Sequence, residues 1–161
     1  MSGSNAARRT EAGHGFINDD SLWPLVATII PASAFDDEVR AHMAYIDALY
    51  ARREPFLSIT FVRLSRGITA EQRMAMNNWM RATRPQMEAF NRGAMMVSSS
   101  TMFRLVLAGM MLVSPMEVPY VVVPRAPDGA EWLRERAHQS GLELPSNLVT
   151  GLERLQSLFE P

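Results

Sequence analysis

At 161 residues, with 47% hydrophobic and 20% charged side chains, the chain has the size and composition of one globular domain that can bury a core without crosslinks. It has no cysteine, which excludes disulfides, thiolate nucleophiles, iron–sulfur clusters and most structural zinc arrangements. The 16 basic residues, all arginine, balance 17 acidic ones to a net charge of −1, which argues against a general affinity for nucleic acid.

Residues 1–20 are rich in Gly, Ser, Asn and charge, show no periodicity, and read as a flexible leader. No apolar core follows Arg8 and Arg9, so this stretch is not read as a secretory signal. Residues 21–141 are expected to form the domain and 142–161 a helical tail. LWPLVATIIP (22–31) predicts the first strand, ended by Pro31. FDDEVRAHMAYIDALYARRE (35–54) predicts a helix capped by Asp36 or Asp37, with Arg52 and Arg53 at its negative end. Val39, Met43, Ile46, Leu49 and Tyr50 recur at helical spacing and are expected to face a sheet.

PFLSITFVRL (55–64) predicts a second strand, with Leu57, Ile59 and Phe61 on one face and Phe56, Ser58, Thr60 and Val62 on the other. The long pattern over 68–93 opens with Thr69 as N-cap and Gln72 at the capping-box position; Pro85 inside it predicts a kink or two abutting helices. A short strand over 94–99 and a helix over 100–115, capped by Ser100 or Thr101, follow. VPYVVVPRA (118–126) reads as a strand buried on both faces, and 127–141 as a helix with Gly141 past its end. In the tail, Leu148, Leu152, Leu155 and Phe159 fall on one helical face, with Glu153 and Gln156 expected in solvent.

Strands alternating with helices predict a single α/β domain: a four- to five-stranded, mostly parallel or mixed sheet with alternating helices. The most apolar run, Leu105 to Val113, is too short to cross a bilayer, so direct membrane insertion is not expected.

Candidate sites are few. The first strand–helix junction, PASAFDD (31–37), lacks the glycines of a Rossmann or Walker loop. Ser65, Arg66, Gly67 and Thr69 sit where a strand end meets a helix start, a corner that can hold an anion or be phosphorylated. The competing reading makes Gly67 a turn, Thr69 a cap and Arg66 a solvated charge. Ser98, Ser99, Ser100 and Thr101 repeat that geometry without a GxSxG elbow, and capping accounts for them. A hydrolase or transferase would need Ser65 or this cluster to face a histidine. His42 and His138 lie on separate helices without a second ligand at metal spacing. No catalytic residue, cofactor or metal is therefore assigned. Twelve methionines fill cores by default, but they also suit adaptable binding surfaces. The helix over 101–113 is apolar nearly all round, which calls for burial on more than one side. Met102, Leu105, Met110 and Met111 are its candidate interaction surface, for a protein partner or a homodimer.

Taken together, Arg73 and Trp79, Arg104, Pro119 and the run Ala130–Glu131–Trp132–Leu133 resemble a bacterial family of small STAS/SpoIIAA-like domains, also described as STAS or SEC14-like. The resemblance covers roughly residues 22–135. It implies a regulatory α/β domain that acts through protein–protein contact without a cofactor. The Asp–Ser pair of the phosphorylated members has no counterpart near Ser65 or Thr69. The expected function is a cytoplasmic, non-catalytic regulatory or scaffold module. The alternative is a small-molecule or lipid carrier, with the Met-rich elements lining a pocket.

Overall fold

The computed structural model describes residues 15–62 and 68–160. Its sheet has five strands in the order β1-β2-β3-β4-β5: β1 (Ile17–Leu22), β2 (Leu25–Ile29), β3 (Phe56–Phe61), β4 (Asn91–Val97) and β5 (Tyr120–Val123). Strands β1 and β2 pair antiparallel, and every later pair is parallel. Between them lie α1 (Asp36–Ala51), α2 (Ala70–Phe90) and α3 (Thr101–Val113). A 3-10 turn (Ala126–Gly129), α4 (Ala130–Gln139) and α5 (Leu148–Phe159) follow β5. This is a single α/β domain with a mixed sheet, as the alternating pattern predicts.

The first difference from expectation is at the start. The apolar stretch 22–31 is not one strand but the turn and second arm of a hairpin, bent at the cis Trp23–Pro24 bond. Its first arm begins at Ile17, inside the expected leader. Asn18, Asp19, Asp20 and Ser21 hide β1 from a hydrophobicity pattern; the ladder to β2 and their own side-chain bonds hold it instead.

Each parallel strand is added beside the one before it, and right-handed crossovers then place α1, α2 and α3 on the same face of the sheet. On that face Val26, Phe56 and Leu49 form a small core with Tyr45, Ile46, Tyr50 and Phe90 around it. The opposite face carries the main core. There Leu57, Ile59, Phe61, Met95 and Val97 are fully buried beneath Ala126, Leu133, Leu152 and Leu155. The predicted alternation of β3 is therefore what divides the two cores. Phe159 packs on Phe61 with ring centroids 5.2 Å apart, so the tail helix docks on the domain along its leucine stripe.

Several local expectations are corrected. The N-cap position of α1 is held by Phe35, not by an aspartate: the Glu38 carboxylate accepts the Phe35 N–H at 2.7 Å, and Asp37 Oδ1 accepts the Glu38 N–H at 3.0 Å within the first turn. Asp36 instead accepts a hydrogen bond from Gln72. Helix α2 is one continuous helix through Pro85 and not two abutting ones, with Pro85 and Arg81 both exposed. Strand β5 is not buried on both faces: it is the sheet edge, four residues long, with only Val123 buried. Gln156 is not solvated. It is buried, and its side-chain oxygen accepts the Ala126 N–H at 2.7 Å.

Candidate interaction surface

Helix α3 starts where Ser100 accepts the Phe103 N–H at 3.1 Å, one of the two predicted caps. Of its residues, only Leu107 is buried, with Phe103 and Met111 half-buried one turn to either side. That i, i+4, i+8 stripe is the whole of its inward face. The remaining large side chains, Met102, Leu105, Val106, Met110, Leu112 and Val113, are between 48% and 88% exposed. Arg104 is the single charged residue of the helix. A helix with this composition ordinarily sits inside a protein, yet here most of its circumference meets solvent.

Three of the four residues named from the sequence, Met102, Leu105 and Met110, lie on this outer surface, whereas Met111 belongs to the inward stripe. Sequence reading missed Val106, Leu112 and Val113. The signal that finds them is the phase of 103, 107 and 111, which assigns every other apolar position to the outside. The sheet beneath follows suit: Ser58, Thr60, Ala94, Met96 and Val122 are only half-buried, whereas Leu57, Ile59, Phe61, Met95 and Val97 on the opposite face are fully buried. Methionine is likewise not mainly core. Met95 is fully buried, but Met74, Met80, Met102 and Met110 face outward.

Ser65, Arg66 and Gly67 of the candidate anion site lie outside the described residues. Thr69 caps α2: its hydroxyl accepts the Gln72 N–H at 3.1 Å and Gln72 Oε1 accepts the Thr69 N–H at 3.0 Å. Within the Ser98–Thr101 cluster, Ser98 Oγ accepts the Ser100 N–H at 3.2 Å and Ser100 caps α3, while Ser99 and Thr101 are exposed. The described strands follow one another in order, so there is no point of reversal among them.

Two polar networks pin β1 from both sides, as strand alternation allows. On the α1 side, Asn18 Oδ1 receives the Thr28 hydroxyl at 3.1 Å and lies 3.0 Å from His42 Nδ1. Phe16 stacks on the His42 ring at 4.2 Å and Trp79 meets its edge. Burial pushes His42 down to about 4, so the imidazole is neutral. Among the described residues no three His, Asp or Glu side chains gather as a metal site. At the start of β4 and β5 an open depression of about 260 Å³ is walled by Glu88, Asn91, Arg92, Glu117 and Arg136. Two of its charges are paired, Glu88 and Glu117 both with Arg84, and Arg136 donates to the Arg92 carbonyl. No helix among the described residues is long and apolar enough to cross a membrane.

Compared with protein-family models, curated proteins and solved structures, the chain matches none of them.

Proposed function

We propose that this protein is a cytoplasmic, non-catalytic regulatory or scaffold module that works by protein–protein interaction, with α3 as its contact surface. The observation that carries this reading is the outer face of α3: six large apolar side chains exposed together on one helix, with a single charge among them. Contiguous apolar surface on a folded domain marks a place where something docks. The resemblance to STAS/SpoIIAA-like domains, carried by Arg73, Trp79, Arg104, Pro119 and 130–133, points the same way. So does the engagement of Thr69, Ser98 and Ser100 as structural caps.

The carrier alternative draws less support. Met74, Met80, Met102 and Met110 turn outward, and the open depression near β4 has a mixed lining, with Val118 and Pro119 beside Glu88, Asn91, Arg92, Glu117 and Arg136.

Affinity capture with the full chain and with its Leu105→Glu variant tests the proposal. Proteins held in stoichiometric amount by the natural chain, the chain itself included, are expected to be lost from the variant. Retention of the same proteins by both, or of none by either, overturns it.

A further inference from the structure

We infer that the occupant of α3 is a second copy of this chain, the two helices crossing antiparallel at Gly109 about a two-fold axis. This rests on the reading of α3 as a contact surface and names the partner.

Among the described residues nothing else covers the helix. Helix α5, the obvious candidate, has its leucine stripe buried in the main core beside the 3-10 turn and α4. Positions 1–14, 63–67 and 161 contribute only Met1 and Leu64 as large apolar side chains.

The outer face of α3 is also self-matching. Around Gly109, Leu105 and Val106 lie four and three residues before it, and Leu112 and Val113 three and four residues after it. A two-fold interface brings the same patch of both copies together, so its pattern must complement its own reversal. Turned end for end about Gly109, Leu105 meets Val113 of the second copy and Val106 meets Leu112. The pairing is apolar on apolar throughout.

Gly109 has no reason within one copy. A methyl group added there would meet nothing within 4 Å, and a glycine inside a helix weakens it. The contrast is with Gly151, where the same methyl would lie 2.6 Å from Leu22. A glycine at the crossing lets two helix backbones approach closely, which accounts for its position midway along the apolar face.

Charge agrees. Helix α3 has no basic residue in its last turn, so the negative end of its dipole is uncompensated within one copy. In the antiparallel pair the two helix dipoles are opposed and attract. The extent is adequate as well. Six apolar side chains at these exposures, with Tyr120 at the adjoining edge, offer roughly 100 Å² each, on the order of 700 Å² per copy, against the ~800 Å² per partner of a stable interface.

Light scattering coupled to size exclusion, run over a dilution series of the full chain, is expected to give twice the chain mass, with the midpoint concentration raised about tenfold or more by Leu105→Glu. Because the chain has no cysteine, Gly109→Cys adds one thiol, and mild oxidation should link the two copies rapidly. Leu105→Cys should link slowly alone but readily when combined with Val113→Cys. Circular dichroism checks that each variant is folded, and the thiol pattern carries the test should Leu105→Glu not be. A monomer at every concentration overturns the inference, as does a dimer in which Leu105→Cys links as fast as Gly109→Cys. A monomer that still binds a different protein through α3 overturns the second copy alone and leaves the proposed function standing.

Discussion

Arg154 of α5 and Asp19 of β1, separated by 135 positions, meet at 3.0 Å between Nη1 and Oδ2. The second guanidinium nitrogen donates to Ser21 Oγ at 2.8 Å, and Ser21 donates both its hydroxyl and its N–H to the other oxygen of Asp19. Burial works against the Asp19 charge, yet the bonds from Ser21 and Arg154 outweigh it and hold the carboxyl below its ordinary value. The first strand and the last helix are thus clasped by one ion pair.

Arg154→Ala should cost about 1–2 kcal/mol, because it leaves a buried carboxylate short of a donor while Arg154 itself is half in water. The pH dependence has a definite sign. With its folded value depressed, Asp19 contributes stability that is present above the ordinary carboxylate range and lost as pH falls through the folded value. Urea melts of both proteins at neutral pH should show the gap, and melts in strong acid should show it closing. A gap that persists in strong acid would remove the ion pair as its cause.

His42 titrates in a separate window. Its value falls from 6.5 to about 4 on folding, so the unfolded chain takes up the proton first as the pH drops. Stability is therefore full above about 6.5 and declines toward 4, by on the order of 3 kcal/mol in total. Replacing His42 with Gln should flatten the curve across that window. Thermal melts at half-unit pH steps, with the natural chain and His42→Gln side by side, decide the matter.

These two networks also show why β1 was not legible. Its polar residues Asn18 and Asp19 are held by partners on α1 and α5, far away in sequence, and no local pattern announces such partners. Where a face is simply dry, the sequence states it outright: Leu57, Ile59 and Phe61 alternate, and all three are fully buried. Helix α3 lies between these cases. Its apolar character is plain, but which three residues turn inward depends on the packing beneath it, which leaves Met111 half-buried and Leu112 outside.

Arg53 ends α1 in the left-handed region, at φ 54°, the single non-glycine residue to do so among those described. Its N–H bonds the Tyr50 carbonyl at 3.0 Å, closing the last turn. Arg53→Gly removes the steric penalty of that backbone and should raise stability by about 0.5–1 kcal/mol, less whatever its long contact to Phe90 contributes. The midpoint of chemical unfolding measures it; a lower midpoint would show that the Phe90 contact outweighs the strain.

The tail supplies the last test, through neighbours with opposite chemistry. Leu155 is 1% exposed in the main core, and Leu155→Ala should cost about 2–4 kcal/mol by opening a cavity there. Gln156 is equally buried, and replacing it with an apolar residue of similar size leaves the volume nearly unchanged. What it removes is the acceptor for the Ala126 N–H at 2.7 Å, at the first residue of the 3-10 turn, together with the bond from its amide to Glu160 at 2.9 Å. An isolated N–H shut away from water is costly, so Gln156→Leu should lose about 1–3 kcal/mol in spite of its greater hydrophobicity. Hydrogen exchange separates the two mechanisms. The cavity should speed exchange throughout the main core, whereas the lost acceptor should speed it first at Ala126 and its turn. If Gln156→Leu instead proves as stable as the natural chain, water reaches Ala126 and the tail is less tightly seated than the burial of Leu148, Leu152 and Leu155 requires.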